Sequence, residues 1–407
     1  MAGCTPLPLR EGVVLQQEAA PAHAIPFWRD IRFLRAASQV VFLAAVLASL
    51  GWLFNNLQTN LRANGLTISF TFLNNTAGFP ISEGIAFDPQ DTNGYAFWVG
   101  VINTIRVVLV GIALATLVGT IVGIARLSSN WLVRTLALAY VETVRNLPLL
   151  VQLFFWYFAV MLTALPLVQS SIELPGSIFL NRRGLYIPWP LATESAALWG
   201  QFLLAGLALA IVVYVGRRAH LKRADRPGFP LVPALLALTA MAVIGWLVAP
   251  GAPFQLDYPA LQGRNFVGGL WLSASFVALL LGLVLYTAAF IAEIVRAGIQ
   301  AVSKGQTEAA KAMGLRPGQV LRLVVLPQAL RVIIPPLASQ YLNLTKNSSL
   351  AILIGYYDLV NVGQTIFNQT GRAVEMILMI MVTYLVLSLL TSALMNYYNR
   401  RIRLVER

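Results

Sequence analysis

Hydrophobic positions along this chain come in long runs separated by polar blocks, a spacing that suits a bilayer better than a soluble core. Crossing about 30 Å of hydrocarbon takes a helix of about 20 mostly apolar residues. Eight stretches meet that length: residues 38–57, 98–125, 147–166, 197–215, 231–249, 270–294, 333–356 and 374–397. The pattern predicts an all-α polytopic membrane protein. Pro/Gly-rich stretches at 173–190 and 250–264 flank the fourth and fifth spans and are expected to be irregular external loops. The second span carries Gly111, Ala115, Gly119 and Gly123 at helical spacing, which lets a neighbouring helix approach closely. No internal repeat is visible, which counts against transporters built from repeated halves.

Composition agrees with this pattern. The 407 residues are 58% hydrophobic and 11% charged, and the mean hydropathy of +0.72 exceeds that of a soluble core wrapped in polar surface. A net charge of +13 raises the question of nucleic acid, and the placement of the charges answers it. Arg29, Arg32 and Arg35 precede the first span, and Arg217, Arg218, Lys222, Arg223 and Arg226 crowd the connector between the fourth and fifth. Arg296, Lys304, Lys311, Arg316, Arg322 and Arg331 follow the sixth span, and Arg400, Arg401, Arg403 and Arg407 form the tail. Threaded through eight spans, these clusters share one face, so the positive-inside rule puts both termini in the cytoplasm and no nucleic-acid partner is expected. Residues 58–97 carry Glu83, Asp88 and Asp91 against Arg62, as a translocated loop should, with Arg182 and Arg183 as a solvated exception. The single cysteine, Cys4, rules out an internal disulfide, and no Cys/His metal pattern occurs. The first span lacks a cleavage site directly after it and reads as a retained helix.

The segment from Ser303 to Leu350 is the most informative. Ser303 and Gln306 fit a capping box, and Glu308, Ala309, Ala310, Ala312 and Met313 continue a short helix that Gly314 ends. Pro317 suits the first turn of a second helix running to about Val325, with Val320, Leu321, Val324 and Val325 on an apolar stripe. Two short helices joined at a glycine elbow make a compact knob that a soluble domain can grip.

The order Lys304-Gly305-Gln306, Glu308-Ala309-Ala310, Gly314, Leu326-Pro327-Gln328-Ala329-Leu330-Arg331 and Pro335-Pro336 resembles the EAA motif of the polar amino-acid uptake family of ABC importer permeases. Upstream, Asn103-Thr104, Glu142-Thr143-Val144-Arg145 and Pro148-Leu149-Leu150-Val151-Gln152 look like the family's first half, although Asn146-Leu147 stand where many members have Gly-Thr. The resemblance covers about 98–165 and 270–398. It implies a type I importer transmembrane domain over 98–398, with a five-helix core, an added N-terminal helix and an inserted pair at about 197–249. Residues 1–37 are then a cytoplasmic tail, 38–57 the extra helix, 58–97 a periplasmic loop, about 302–331 the coupling loop and 399–407 a second tail. Gln306, Glu308, Ala309, Ala310, Met313, Gly314, Pro317, Leu326 and Pro327 are the implied ATPase-coupling positions, with Glu308 and Gly314 the most closely tied to coupling.

A charge in the bilayer costs about 2.5–3.5 kcal/mol on insertion scales, so each needs a cavity or a partner. Glu293 lies three residues before Arg296 on one face, which fits a local ion pair. Arg106 either snorkels outward or faces a path, and Glu375 near the last span's outer end is read as solvated. Asn343, Lys346, Asn347, Ser348 and Ser349 form the most polar run inside any span. Two roles are open to it: cementing helices, or lining a substrate path in which donors and acceptors suit a zwitterion.

The resemblance implies a bacterial inner-membrane permease subunit for polar L-amino acids such as glutamate, glutamine, aspartate or asparagine. It implies a second, non-identical permease, two ATPase subunits and a periplasmic binding protein as partners, besides membrane lipid. No P-loop occurs here, so ATP and Mg are expected on the ATPase, with no cofactor or enzymatic activity in this chain. An ion-coupled secondary transporter using Glu293, Lys346 and Arg106 is the alternative. A membrane enzyme is less favoured, since His23 and His220 are the only histidines.

Overall fold

The computed structural model describes residues 31–63, 68–224 and 228–402, so Cys4, His23, Arg29, Arg226, Arg403 and Arg407 lie outside the described residues. The chain divides into two units, Met1–Ser69 and Phe70–Arg407. In the first, α1 (Ile31–Ala63) shows apolar side chains to its surroundings along most of its length, as a lipid-facing helix must.

The second unit is organised by two long packed helices. α2 (Asn93–Ala125) begins where the Thr92 hydroxyl accepts from the Tyr95 amide, and α7 (Ala274–Gln300) begins where the Ser273 hydroxyl accepts from Phe276. The small-residue stripe makes their seam: a Cβ on Gly119 would fall 2.6 Å from Ile291 Cβ, and one on Gly123 would fall 2.7 Å from the Ala292 carbonyl. Nothing larger than glycine fits at either point.

Between them, α3 (Trp131–Asn146) is capped by Asn130, whose Oδ1 accepts from Leu132 and Val133. α4 (Leu149–Phe154) follows and widens into a π-helical segment, Phe155–Ala164. The two arms meet at 106°. The sequence pattern places the third span over 147–166 alone, whereas the structure extends it upstream into a bent pair. Pro148 explains the bend, because its ring holds Leu147 extended at φ −98°, ψ 133°.

The loops expected to be irregular instead form short antiparallel strands. β1 (Ile172–Leu174), β2 (Ile178–Asn181), β3 (Gly184–Ile187) and β8 (Leu270–Ser273) make one sheet in that order. β4 (Trp189–Ala192) pairs with β5 (Phe254–Asp257), and β6 (Ala260–Gln262) with β7 (Asn265–Val267). The glycines that suggest irregular structure serve the pairing. Gly176 turns at φ 88° between β1 and β2, and at Gly184 a Cβ would collide with the Leu272 carbonyl across the β3–β8 ladder. The β4–β5 ribbon leads into the hairpin of α5 (Ser195–Arg223) and α6 (Leu231–Val248), which packs almost wholly on itself through Gly206 against Met241 and Gly245 against Phe202.

After α7 come α8 (Lys304–Ala312) and α9 (Pro317–Val320), a π-helical turn Leu321–Val325, α10 (Leu326–Asn347) and a 3₁₀ stretch Ser348–Ile354. α11 (Leu359–Thr370) and α12 (Ala373–Ile402) close the chain. The second elbow helix therefore does not stop near Val325. It runs through into the seventh span, making one helical stretch, Pro317–Ile354. Pro327 lacks the amide that would bond Leu323, and the turn before it relaxes to π geometry rather than ending. Seven described helices are long and apolar enough to cross a membrane, and the bent pair makes an eighth.

Candidate functional site

The elbow is built on very little core. Ala310, Val320 and Val325 are buried together, with Ile299, Val302, Leu315 and Val324 packed around them. Leu321, expected on the same stripe, is exposed instead because the π turn rotates it away. Gly314 takes φ +80°, and a Cβ added there would meet no described atom within 4 Å, so its glycine serves backbone conformation and not space. The expected capping box at Ser303 does not form: its carbonyl, not its hydroxyl, bonds the Gln306 amide at 3.2 Å. The reciprocal side-chain bond occurs one helix later, where Gln319 Oε1 accepts from the Arg316 amide at 2.9 Å. Of the nine positions read as coupling residues, Ala310 alone faces inward. Gln306, Glu308, Ala309, Met313, Gly314, Pro317, Leu326 and Pro327 are exposed, and Met313, at 82%, forms an apolar tip.

α10 divides the polar run between two faces. Asn343 and Lys346, one helical turn apart, are exposed, while Asn347 and Ser349 are half-buried and Ser348 is buried. Thr345 and Ser348 return their hydroxyls to helix carbonyls at Tyr341 and Thr345, both at 2.8 Å, and Ser349 bonds the Lys346 carbonyl at 2.7 Å. The hydroxyls thus satisfy their own backbone, and Asn343 and Lys346 are the groups presented outward.

Glu293, Arg106 and Lys346 do not converge. Glu293 forms the expected bond with Arg296 and a second ion pair with Arg126 at the end of α2, which nothing in the local sequence announces. Arg106 sits nearer the start of α2, its guanidinium 5.8 Å from the Phe276 ring centre. Phe276 and Glu293 are separated on one helix by about 25 Å at 1.5 Å per residue, too far for a proton relay without intermediates. Glu375, read as solvated, is only 4% exposed and pairs with Arg372 at 3.4 Å, one turn before it.

At the end remote from the elbow, residues 70–92 fold down onto the helices through Phe72, Phe79 and Ile81, which pack with Ala96, Val99, Val362, Ile366 and Met376. Glu83, read as a loop acid, reaches the start of α7 and accepts from Ser275 at 3.3 Å. Burial raises its carboxyl above the ordinary 4.5, against the lowering effects of Ser273, Ser275 and Arg106. The motif residues Asn103 and Thr104 prove to be stitches: Asn103 Nδ2 donates to the Glu83 and Tyr357 carbonyls, and Thr104 accepts from the Leu359 amide. Gln152 has a similar task at the bend, donating to the Val144 and Leu147 carbonyls at 2.9 and 3.0 Å.

An exposed, glycine-hinged knob thus follows the tightly seamed helix pair. The sequence pattern of the "Binding-protein-dependent transport system inner membrane component" family matches residues 111–404. The chain belongs to this family. It is therefore a multi-pass membrane protein, the permease component of a binding-protein-dependent ABC importer and not an ion-coupled carrier. The chain is 47% identical over 91% of its length to the "Putative amino-acid ABC transporter permease protein YhdX" of Escherichia coli (strain K12), covering 94% of that protein. It is 44% identical over 93% of its length to the "General L-amino acid transport system permease protein AapQ" of Rhizobium johnstonii, covering 94% of it. It is also 44% identical over 93% of its length to the "Glutamate/glutamine/aspartate/asparagine transport system permease protein BztB" of Rhodobacter capsulatus, covering 96% of it.

Proposed function

We propose that this permease imports polar L-amino acids, glutamate, glutamine, aspartate and asparagine among them, across a bacterial inner membrane by ATP-driven alternating access. The substrates carried in the names of its full-length relatives support that class. The observation that carries the mechanism is the elbow: Glu308 and Met313 stand exposed on a short helix whose exit depends on a left-handed glycine. Two ATPase subunits, holding ATP and Mg, grip such knobs, and their closure turns α8 as a lever on α7 and α10. Both termini and the elbow face the cytoplasm, and the end formed by residues 70–92 receives a periplasmic binding protein. A second, non-identical permease completes the path, lined here by Asn343, Lys346, Asn347, Ser348, Ser349 and Arg106, while Glu293 fastens α2 to α7.

Proteoliposomes holding the permease pair and ATPases test this. With binding protein outside and ATP inside, labelled glutamate or glutamine should accumulate, and a protonophore should leave the rate unchanged. Accumulation that needs no ATPase and collapses with the protonophore would overturn the reading.

A further inference from the structure

The α5–α6 hairpin carries, where α5 hands over to α6, a cluster of cations that the transport reading does not use. Arg217, Arg218, Lys222 and Arg223 are all exposed. The ion pairs of the described residues lie elsewhere, at Arg126, Arg296 and Arg372, so none of the four meets a described acid. The sequence offers little to pair them, since Asp225 is the single acid between Glu194 and Asp257. The hairpin packs almost wholly on itself, which turns its flanks toward whatever surrounds the protein. A bias of basic residues explains which way a hairpin inserts. It does not say what neutralises four cations afterwards.

Their level along the helices points to the answer. Gly206 packs on Met241 and Gly245 on Phe202, a register that sets Leu231 and Val232 level with Gly216 and Val215. Ile211, Val212 and Val215 on α5, and Leu231 and Val232 on α6, are each more than half exposed, so an apolar band ends at one level on both helices. The cations begin within the next turn. At 1.5 Å per residue, Arg217 and Arg218 stand about 3–5 Å beyond Val215, and Lys222 and Arg223 about 10–12 Å beyond it. A phospholipid headgroup layer is about 5–7 Å deep on each side of the hydrocarbon, within reach of the first pair directly and of the second by bending back. Phe229, 83% exposed, returns to the level of Arg218, where Gly228 is pressed against Leu221. An exposed ring among cations suits a lipid boundary, where the ring meets acyl chain and the guanidinium meets phosphate. An acidic protein surface would satisfy the cations and leave the ring and the apolar band bare.

We infer that this end of the α5–α6 hairpin is a docking site for anionic phospholipid headgroups, held by Arg217, Arg218, Lys222 and Arg223 with Phe229 set into the acyl boundary. Which leaflet supplies the lipid rests on the orientation proposed above; the binding does not. The inserted hairpin thereby gains a partner of its own, apart from the ATPase-facing elbow and the polar face of α10.

The test reconstitutes the full chain into vesicles of equal parts phosphatidylcholine and phosphatidylglycerol, re-extracts it in mild detergent and quantifies the co-purifying lipids by mass spectrometry. Phosphatidylglycerol should be enriched at least about fivefold over phosphatidylcholine, the factor expected of one cation at a headgroup. Re-extraction in about 1 M salt, where the screening length falls to about 3 Å, should remove most of that enrichment. Replacing all four cations by glutamine should return the ratio to that of the vesicle. Because that change can also invert the hairpin during insertion, Arg217→Lys, Arg218→Lys and Arg223→Lys together form a second variant. It keeps the charge, loses the paired guanidinium–phosphate bonds and should lower the enrichment about two- to threefold. Equal retention of the two lipids by the unmodified chain, or enrichment indifferent to both sets of substitutions, would overturn the inference. So would unchanged enrichment in a glutamine variant that no longer co-purifies with the ATPases, which would assign the cluster to an acidic protein surface. Both leaflets of the vesicle hold both lipids and no transport is measured, so the result stands or falls separately from the import reading.

Discussion

The two ends of the α2–α7 pair solve opposite problems. At the elbow, three buried side chains and one left-handed glycine position two short helices, and nearly every residue of interest is exposed. At the other end, Asn93, Asn103, Thr104, Ser273, Ser275 and Asp358 are all buried. Asp358 caps α11 through the Asn361 amide, and Asn103 ties residues 70–92 to the chain after α10. The elbow keeps few internal contacts, while the opposite end is stitched by buried hydrogen bonds. The seam of small residues between them is close-packed.

Substitutions that exchange the properties of these regions sharpen the contrast. Gly119→Val, at the seam, should have the largest effect: the clash with Ile291 and the Ala288 carbonyl costs about 3 kcal/mol or more and should abolish recovery of monodisperse protein in detergent. Arg126→Gln removes one partner of Glu293 at a partly solvated pair, an expected loss of about 1–2 kcal/mol in denaturant titration, discounted for that exposure. Gly314→Ala should cost about 1 kcal/mol, from backbone strain alone, because no atom blocks the new methyl. If Gly314→Ala destabilised as much as Gly119→Val, the elbow would be a packed element and the comparison would fail.

The smallest effect is a pH dependence at the stitched end. Glu83 has its carboxyl pKa raised on folding from 4.5, so its contribution is fully present below that value and declines as pH rises through the folded value. Glu83→Gln should flatten the fall in melting temperature as pH rises above about 4.5. A steeper fall in the variant would contradict this.

The spans, the elbow and its exposed face were legible in the sequence, because hydrophobic length, a helix-ending glycine and a helix-starting proline act locally. The stitched end was not. Glu83 and Ser275, or Asn103 and Tyr357, lie far apart in the chain, and nothing in either segment announces the other. The strands between 172 and 273 were obscured because the same glycines and prolines that mark irregular loops also make tight antiparallel turns. Arg126 was hidden for a similar reason, since its partner is on another helix.

The central claim, that the elbow passes ATPase movement to the helices, is tested most directly by Gly314→Asp and Glu308→Lys. The measurement is ATP hydrolysis by the reconstituted complex with and without substrate-loaded binding protein. We predict that both variants insert and assemble normally yet show no stimulation. Stimulation at the unmodified level in either would contradict the account.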